Sequence, residues 1–136
     1  MKNGYILVVD DDPIVLNMVS TLFSRFGCPV HCAHDGVEAL SIFEQTPAEL
    51  VVTDFEMPMM NGWQLGVRFK ASNPETKIVI MTGRSPDSVA KYIGDGMIDG
   101  WLFKPFILAE IQAVLERIGL PHLLGVSQAP GPPCNS

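Results

Sequence analysis

The sequence predicts an α/β fold, a doubly wound five-stranded parallel sheet with helices on both faces. Three observations carry this expectation. Short apolar runs alternate five times with amphipathic stretches along the 136 residues, which is the βα pattern of a covered parallel sheet. Ile6–Val9 and Ile78–Met81 are unbroken apolar runs, as strands buried on both faces should be. Several runs are followed at once by an acid, a hydroxyl or a lysine, at the carboxyl ends of strands where open sheets of this kind place ligands.

The elements follow in order. Tyr5 to Val9 is the first strand. Asp12 then caps a helix beginning at Pro13, because a carboxylate accepts from the free amides of the first turn and the missing proline N–H is no loss there. Val15, Met18, Val19, Leu22 and Phe26 give that helix its apolar side, and Gly27 ends it. Pro29 to Ala33 is the second strand. Asp35 and Gly36 open a second helix carrying Val37, Leu40, Ile42 and Phe43, which stops before Pro47. Leu50 to Thr53 is a third strand running into Asp54, and a loop from Phe55 to Asn61 leads to a third helix over Gly62 to Lys70. Lys77 to Met81 is the fourth strand, followed by a short helix from Pro86 to Ile93. Gly100 to Phe103 is the fifth strand. Ile107 to Ile118 is the last helix, with Ile111, Val114, Leu115 and Ile118 on one side. Right-handed crossovers leave few topologies for such a chain.

Residues 1–119 are expected to form one domain and 120–136 a tail or linker stub, partly disordered, since Gln128 to Pro133 is Pro/Gly-rich and buries little. A formal charge of −6 argues against a broad phosphate-binding surface. Protein partners and a cation are expected, with no direct nucleic-acid contact. The first apolar run is five residues long, too short for a signal peptide or a membrane span; a cytoplasmic protein without membrane contact is expected. Cys28, Cys32 and Cys134 make an odd count without a CxxC pattern. They are expected to be reduced, with Cys28 and Cys32 as small buried apolar residues.

Asp10 and Asp11 follow the first strand, Asp54 the third, Thr82 the fourth and Lys104 the fifth. The topology gathers all five at one sheet edge. Each has a plainer reading: Asp10 to Asp12 as helix cap and solvated loop, Asp54 as a structural acid, Lys104 as a surface lysine, Thr82 as a turn residue. Their coincidence at one edge favours a site. Unit charges a few ångströms apart repel by roughly 4 kcal/mol at an effective dielectric near 20, so three clustered carboxylates need neutralising. Lys104 offsets one charge, and a hard dication such as Mg²⁺ (Mn²⁺ is an alternative) suits the rest. A carboxylate beside a dication, an ammonium and a hydroxyl is a prepared phosphoryl acceptor, because phosphoryl transfer requires positioning and charge neutralisation above all.

The strings ILVVDDDP (6–13), VVTDFEMPMMNG (51–62), IVIMTG (78–83) and FKPF (103–106) resemble those of response-regulator receiver domains, in the same order. The resemblance spans about residues 4 to 119. It implies a flavodoxin-like sheet of order 2-1-3-4-5, with Asp54 as phosphoacceptor. It implies Mg²⁺ at Asp10, Asp11, Asp54 and the Glu56 backbone carbonyl, and Thr82 and Lys104 as the hydroxyl and lysine that meet the phosphoryl group. A cis Lys104–Pro105 bond belongs to the same pattern. Trp101 stands where relatives carry a switch aromatic, usually Tyr or Phe. Relatives usually have Gly-Ala where this chain has Met97-Ile98, so the fourth helix should end differently and be poorly ordered. Glu56 and Arg84, each two residues past a site residue, are expected either to be solvated rim side chains or to meet over the pocket mouth and limit attacking water. The implied partners are a histidine kinase or histidine phosphotransfer protein, docking near the first helix and the Pro105-Phe106 loop, and an unidentified target protein. The implied chemistry is self-phosphorylation and self-dephosphorylation rather than turnover as an enzyme. The competing readings are a metal-dependent aspartyl-phosphate phosphatase, although the DxDxT pattern of haloacid-dehalogenase-type enzymes is missing, and a degenerate receiver that only binds proteins. A flavin-binding sheet protein would need a phosphate loop after the first strand, which this chain lacks.

Overall fold

A computed structural model describes residues 4–124. Strands β1 (Ile6–Val9), β2 (Val30–Ala33), β3 (Leu50–Asp54), β4 (Lys77–Thr82) and β5 (Gly100–Phe103) form one parallel sheet. Its order is β2-β1-β3-β4-β5. Helices α1 (Pro13–Ser24) and α5 (Leu108–Arg117) cover one face; α2 (Gly36–Gln45), α3 (Gly62–Ser72) and α4 (Ala90–Gly94) lie on the other. Successive side chains of a strand point to opposite faces. Ile6 and Val8 therefore join Leu50, Val52, Val79 and Met81 beneath α1 and α5, while Leu7, Val9, Val51, Ile78 and Ile80 face α2 and α3.

The helix stripes follow expectation in part: Val19, Phe26 and Phe43 are buried and Val15, Leu22, Leu40 and Ile42 pack against the core, but Met18 and Val37 do not. On α1 the buried residues are Leu16, Val19, Ser20, Phe23 and Ser24, whereas Met18 is 57% exposed. Ile14, Val15, Leu16, Met18, Val19, Leu22 and Phe23 offer apolar candidates around much of that helix, so periodicity alone left its rotation open. On α2, Ala39 and Phe43 are buried and Val37 is exposed. On α5 the expected face, Ile111, Val114, Leu115 and Ile118, is the buried one. The short helix after β4 divides into a 3-10 turn (Pro86–Val89) and α4.

Packing continues past residue 119. Leu120 is buried in the α1/α5 core, a second 3-10 turn spans Pro121–Leu124, and His122 pairs through Nε2 with Glu49. The Pro/Gly-rich stretch and Cys134 lie outside the described residues. Cys28 is a half-buried free thiol, pushed up to about 11 chiefly by burial. Cys32 is half-buried and disulfide-bonded, which corrects the reduced state expected for it.

The loop after β3 is held to α3 by tight local geometry. Asn61 caps α3, accepting from the Gln64 amide at 2.8 Å, while Gln64 returns a bond to the Asn61 amide at 2.9 Å. The Gly62 amide donates to the Phe55 carbonyl at 2.8 Å. A Cβ on Gly62 would stand 2.4 Å from the Asp54 carbonyl oxygen, and that neighbour is backbone. Gly62→Ala should therefore destabilise the domain by about 1–3 kcal/mol, read as a lower urea midpoint; an unchanged midpoint would show that the loop can yield.

Candidate functional site

Strand register assembles the site. Val9 pairs with Thr53, so Asp10 and Asp54 leave β1 and β3 side by side. Asp54 pairs with Met81, which puts Thr82 one step further along β4. Thr82 pairs with Phe103, and the Lys104 amide donates to the Thr82 carbonyl at 2.7 Å. Lys104 Nζ donates to Asp54 Oδ1 at 3.0 Å and stands 3.7 Å from Asp10 Oδ2. The Lys104–Pro105 bond is cis, as the resemblance implied.

Asp10 is 1% exposed. Its Oδ1 accepts from the Asp12 amide at 2.9 Å, whereas Oδ2 is buried with no hydrogen-bond partner among the described residues. Asp11 is exposed and Asp54 buried, and one oxygen from each of the three acids falls within 4.8 Å of the others. Burial first, then the charges of Asp54 and Asp11, push the Asp10 carboxyl up to about 6 against the Asp12 amide and Lys104. Burial also raises Asp54, opposed mainly by the hydrogen bond and charge of Lys104. An all-oxygen donor set with one orphaned buried oxygen fits a small hard dication. Asp10, Asp11 and Asp54 are the side chains that would hold it.

Thr82 is fully buried, and its Oγ1 accepts from the Arg84 amide at 3.0 Å. The Arg84 guanidinium pairs through Nε and a terminal nitrogen with Glu56 Oε2 and lies 5.3 Å from the centre of the Phe55 ring. The two rim residues thus meet. Beside them opens a cleft of about 410 Å³, lined by Phe55, Glu56, Met57, Pro58, Asn61, Arg84 and Tyr92. It adjoins the carboxylates without including them. Met59, in the same loop, has φ 71° and 98% of its surface exposed, and the Met60 amide donates to the Pro58 carbonyl at 2.7 Å. This is a γ-turn of the strained positive-φ kind. No residue type in the sequence signals it.

Trp101 is half-buried on the α3 side of the sheet, 6.3 Å from Phe55 between ring centres. Sequence reasoning did not single out its neighbours. Tyr92 of α4 packs 5.1 Å from Phe55 and 5.5 Å from Trp63, and the Trp63 indole donates to Asp95 at 2.9 Å. Aromatic residues at 55, 63 and 92 were visible, but only the fold brings them together. Helix α4 has five residues, and Gly96, rather than a residue at 97, takes a left-handed turn at φ 73° before Ile98 is buried.

Residues 6–116 match the response regulator receiver domain. The chain belongs to that family. Response regulator MprA of Mycobacterium avium is 36% identical over 115 residues, covering 83% of this chain and 50% of the relative. CheY4, a chemotaxis protein of Vibrio cholerae, superimposes with a TM-score of 0.74 at 29% identity, covering 85% of this chain and 98% of that one. A structure described as the BeF3-activated DrrB receiver domain gives 0.73 at 28% identity over 85% of this chain and 96% of that one. The receiver chain spans from about a fifth to about half the length of the curated relatives it matches. Receiver domains are signalling modules of response regulators, and they interact with kinases or phosphotransfer proteins. No helix among the described residues is long and apolar enough to cross a membrane.

The raised Asp10 carboxyl sets a pH dependence. Its folded value, about 6, exceeds that of an unfolded aspartate, about 3.9. Its contribution is therefore fully stabilising below about pH 4 and is lost as pH rises through about 6. Without divalent cations, Asp10→Asn should gain stability relative to wild type between pH 4 and 7, by on the order of 2 kcal/mol. Urea unfolding in EDTA across that range measures it; a constant difference would contradict the assignment.

Proposed function

We propose that Asp54 is the phosphoacceptor of a two-component phosphorelay, receiving its phosphoryl group from phosphohistidine on a histidine kinase or histidine phosphotransfer protein. The observation that carries this reading is the buried Asp10–Asp54 pair sharing one ammonium, Lys104 Nζ, at 3.7 and 3.0 Å. A cluster so unfavourable without a ligand fits a site that works with added cation and phosphate oxygens.

A carboxylate oxygen of Asp54 forms the new P–O bond as the donor's P–N bond breaks, and the electron pair stays on the imidazole nitrogen. Lys104 moves from one Asp54 oxygen to a phosphoryl oxygen, a small displacement for a flexible four-carbon chain. Thr82 supplies an O–H donor to another. Mg²⁺, held by Asp10, Asp11, Asp54 and the Glu56 carbonyl, would supply further neutralisation of the phosphoryl oxygens when bound. The Glu56–Arg84 pair narrows the approach of hydrolytic water. Trp101 acts as the switch aromatic that follows Thr82. The domain catalyses only its own modification and its reversal, in the cytoplasm, and passes the change to a target protein. The DrrB receiver domain, described as BeF3-activated, supports a site of this kind responding to a phosphoryl mimic.

After acetyl phosphate with Mg²⁺, the wild-type intact mass should rise by one phosphoryl group. Asp54→Ala, or excess EDTA, should abolish the gain; an unmodified wild type or a modified Asp54→Ala would overturn the reading. An exposed ion pair is worth about 0.2–1 kcal/mol, so Arg84→Ala should shorten the phosphoryl half-life by up to about fivefold. Equal half-lives would remove the shielding role.

A further inference from the structure

Helix α4 is too short to be stable alone, and none of its five residues is buried. Its position is set from outside. Before it, Val89 is fully buried; after it, Ile98 is buried with 8% of its surface exposed. Between these anchors, the Tyr92 ring leans on Phe55 and Trp63. Asp95, just past the last turn, divides its carboxylate: Oδ2 accepts from the Trp63 indole at 2.9 Å, and Oδ1 from the Met97 amide at 3.0 Å. Gly94 and Gly96 flank Asp95, and a Cβ on either would meet open space. Side-chain bonds from Asp95, rather than close packing, therefore define this turn and tie it to α3.

The tie connects to the pocket by two routes. Phe55 directly follows Asp54, and its ring touches both Arg84 and Tyr92. The chain from Thr82 to Ser85 runs straight into the 3-10 turn that starts α4. Thr82 Oγ1 now accepts from the Arg84 amide. Turning that hydroxyl toward a phosphoryl oxygen disturbs the Arg84 turn, and α4 can follow only if its hold on α3 gives way.

We propose that Trp63 and Asp95 form a latch that keeps α4 in its resting position and opposes the phosphorylation-linked change at Asp54, a role that rests on the phosphoacceptor reading above. Both are positioning residues. By thermodynamic reciprocity, whatever opens the latch must favour the phosphorylated state by the same factor.

Trp63→Phe keeps an aromatic ring against Tyr92 and removes the donor; Asp95→Asn leaves one acceptor oxygen where the carboxylate used two, so either the Trp63 indole or the Met97 amide faces an NH2. Amide hydrogen exchange over residues 90–96, and binding of beryllium fluoride with Mg²⁺, would be measured for the full chain and both variants. Trp63→Phe should exchange about three- to tenfold faster there and bind beryllium fluoride more tightly by a similar factor, the size expected for losing one hydrogen bond. Asp95→Asn, which loses one of the two tethers, should shift both in the same direction. A contact that merely stabilised the fold would weaken mimic binding when removed, not strengthen it. Unchanged exchange in Trp63→Phe overturns the latch. Faster exchange with unchanged or weaker binding overturns the coupling while leaving the phosphoacceptor reading intact. Failure of wild type to bind beryllium fluoride at all overturns that reading, and the coupling with it.

Discussion

Asp10 and Asp54 are buried at the carboxyl edge of the sheet within reach of a single ammonium, and the neighbouring structure answers to that charge imbalance. At a separation of about 4 Å and an effective dielectric near 20, two carboxylates repel by roughly 4 kcal/mol. Lys104 offsets part of this by bonding Asp54 Oδ1 directly. The Asp12 amide satisfies one oxygen of Asp10 and leaves the other without a partner. The residual strain appears as carboxyls held above their ordinary range. A protein that needed only a stable edge would place apolar or neutral groups there. The acids form a donor set that could bind a metal ion.

The scaffold holds this arrangement by parallel pairing rather than by long side-chain reach. Because β1, β3, β4 and β5 pair in parallel, the residues at or one step past their carboxyl ends lie side by side. The cores on the two sheet faces fix that register, since a one-residue slip would turn every buried side chain to the wrong face. Chemistry and stability are thus coupled through the same strands: Val9 and Thr53 are buried next to Asp10 and Asp54.

The far side of the pocket is built differently. Phe55, Trp63, Tyr92 and Trp101 form an aromatic layer between the loop after β3 and α4, with Arg84 on one of its rings. Large flat side chains share extensive surface yet are joined here by few directional bonds. Short helix, flanking glycines and side-chain tethers together give a segment of low intrinsic stability, the kind from which moving elements are drawn. The sheet edge is buried, whereas α4 buries none of its five residues.

Composition and pattern alone determined the α/β class, the five strands and the five polar groups at their ends, because strand burial and strand-end placement are local consequences of apolar runs. Four strings in order also carried the family resemblance, including the cis bond after Lys104. The expected meeting of Glu56 and Arg84 was one of two open readings until the fold set their loops side by side. Tertiary structure alone decided the rotation of α1, where Leu16 and Phe23 rather than Met18 face the core, since that helix has apolar residues around much of its circumference. It alone revealed the strained turn at Met59, the orphaned oxygen of Asp10 and the Trp63–Asp95 bond. Each depends on groups distant in sequence, or on a backbone angle that no residue type announces, and such facts exist only once the chain has closed on itself.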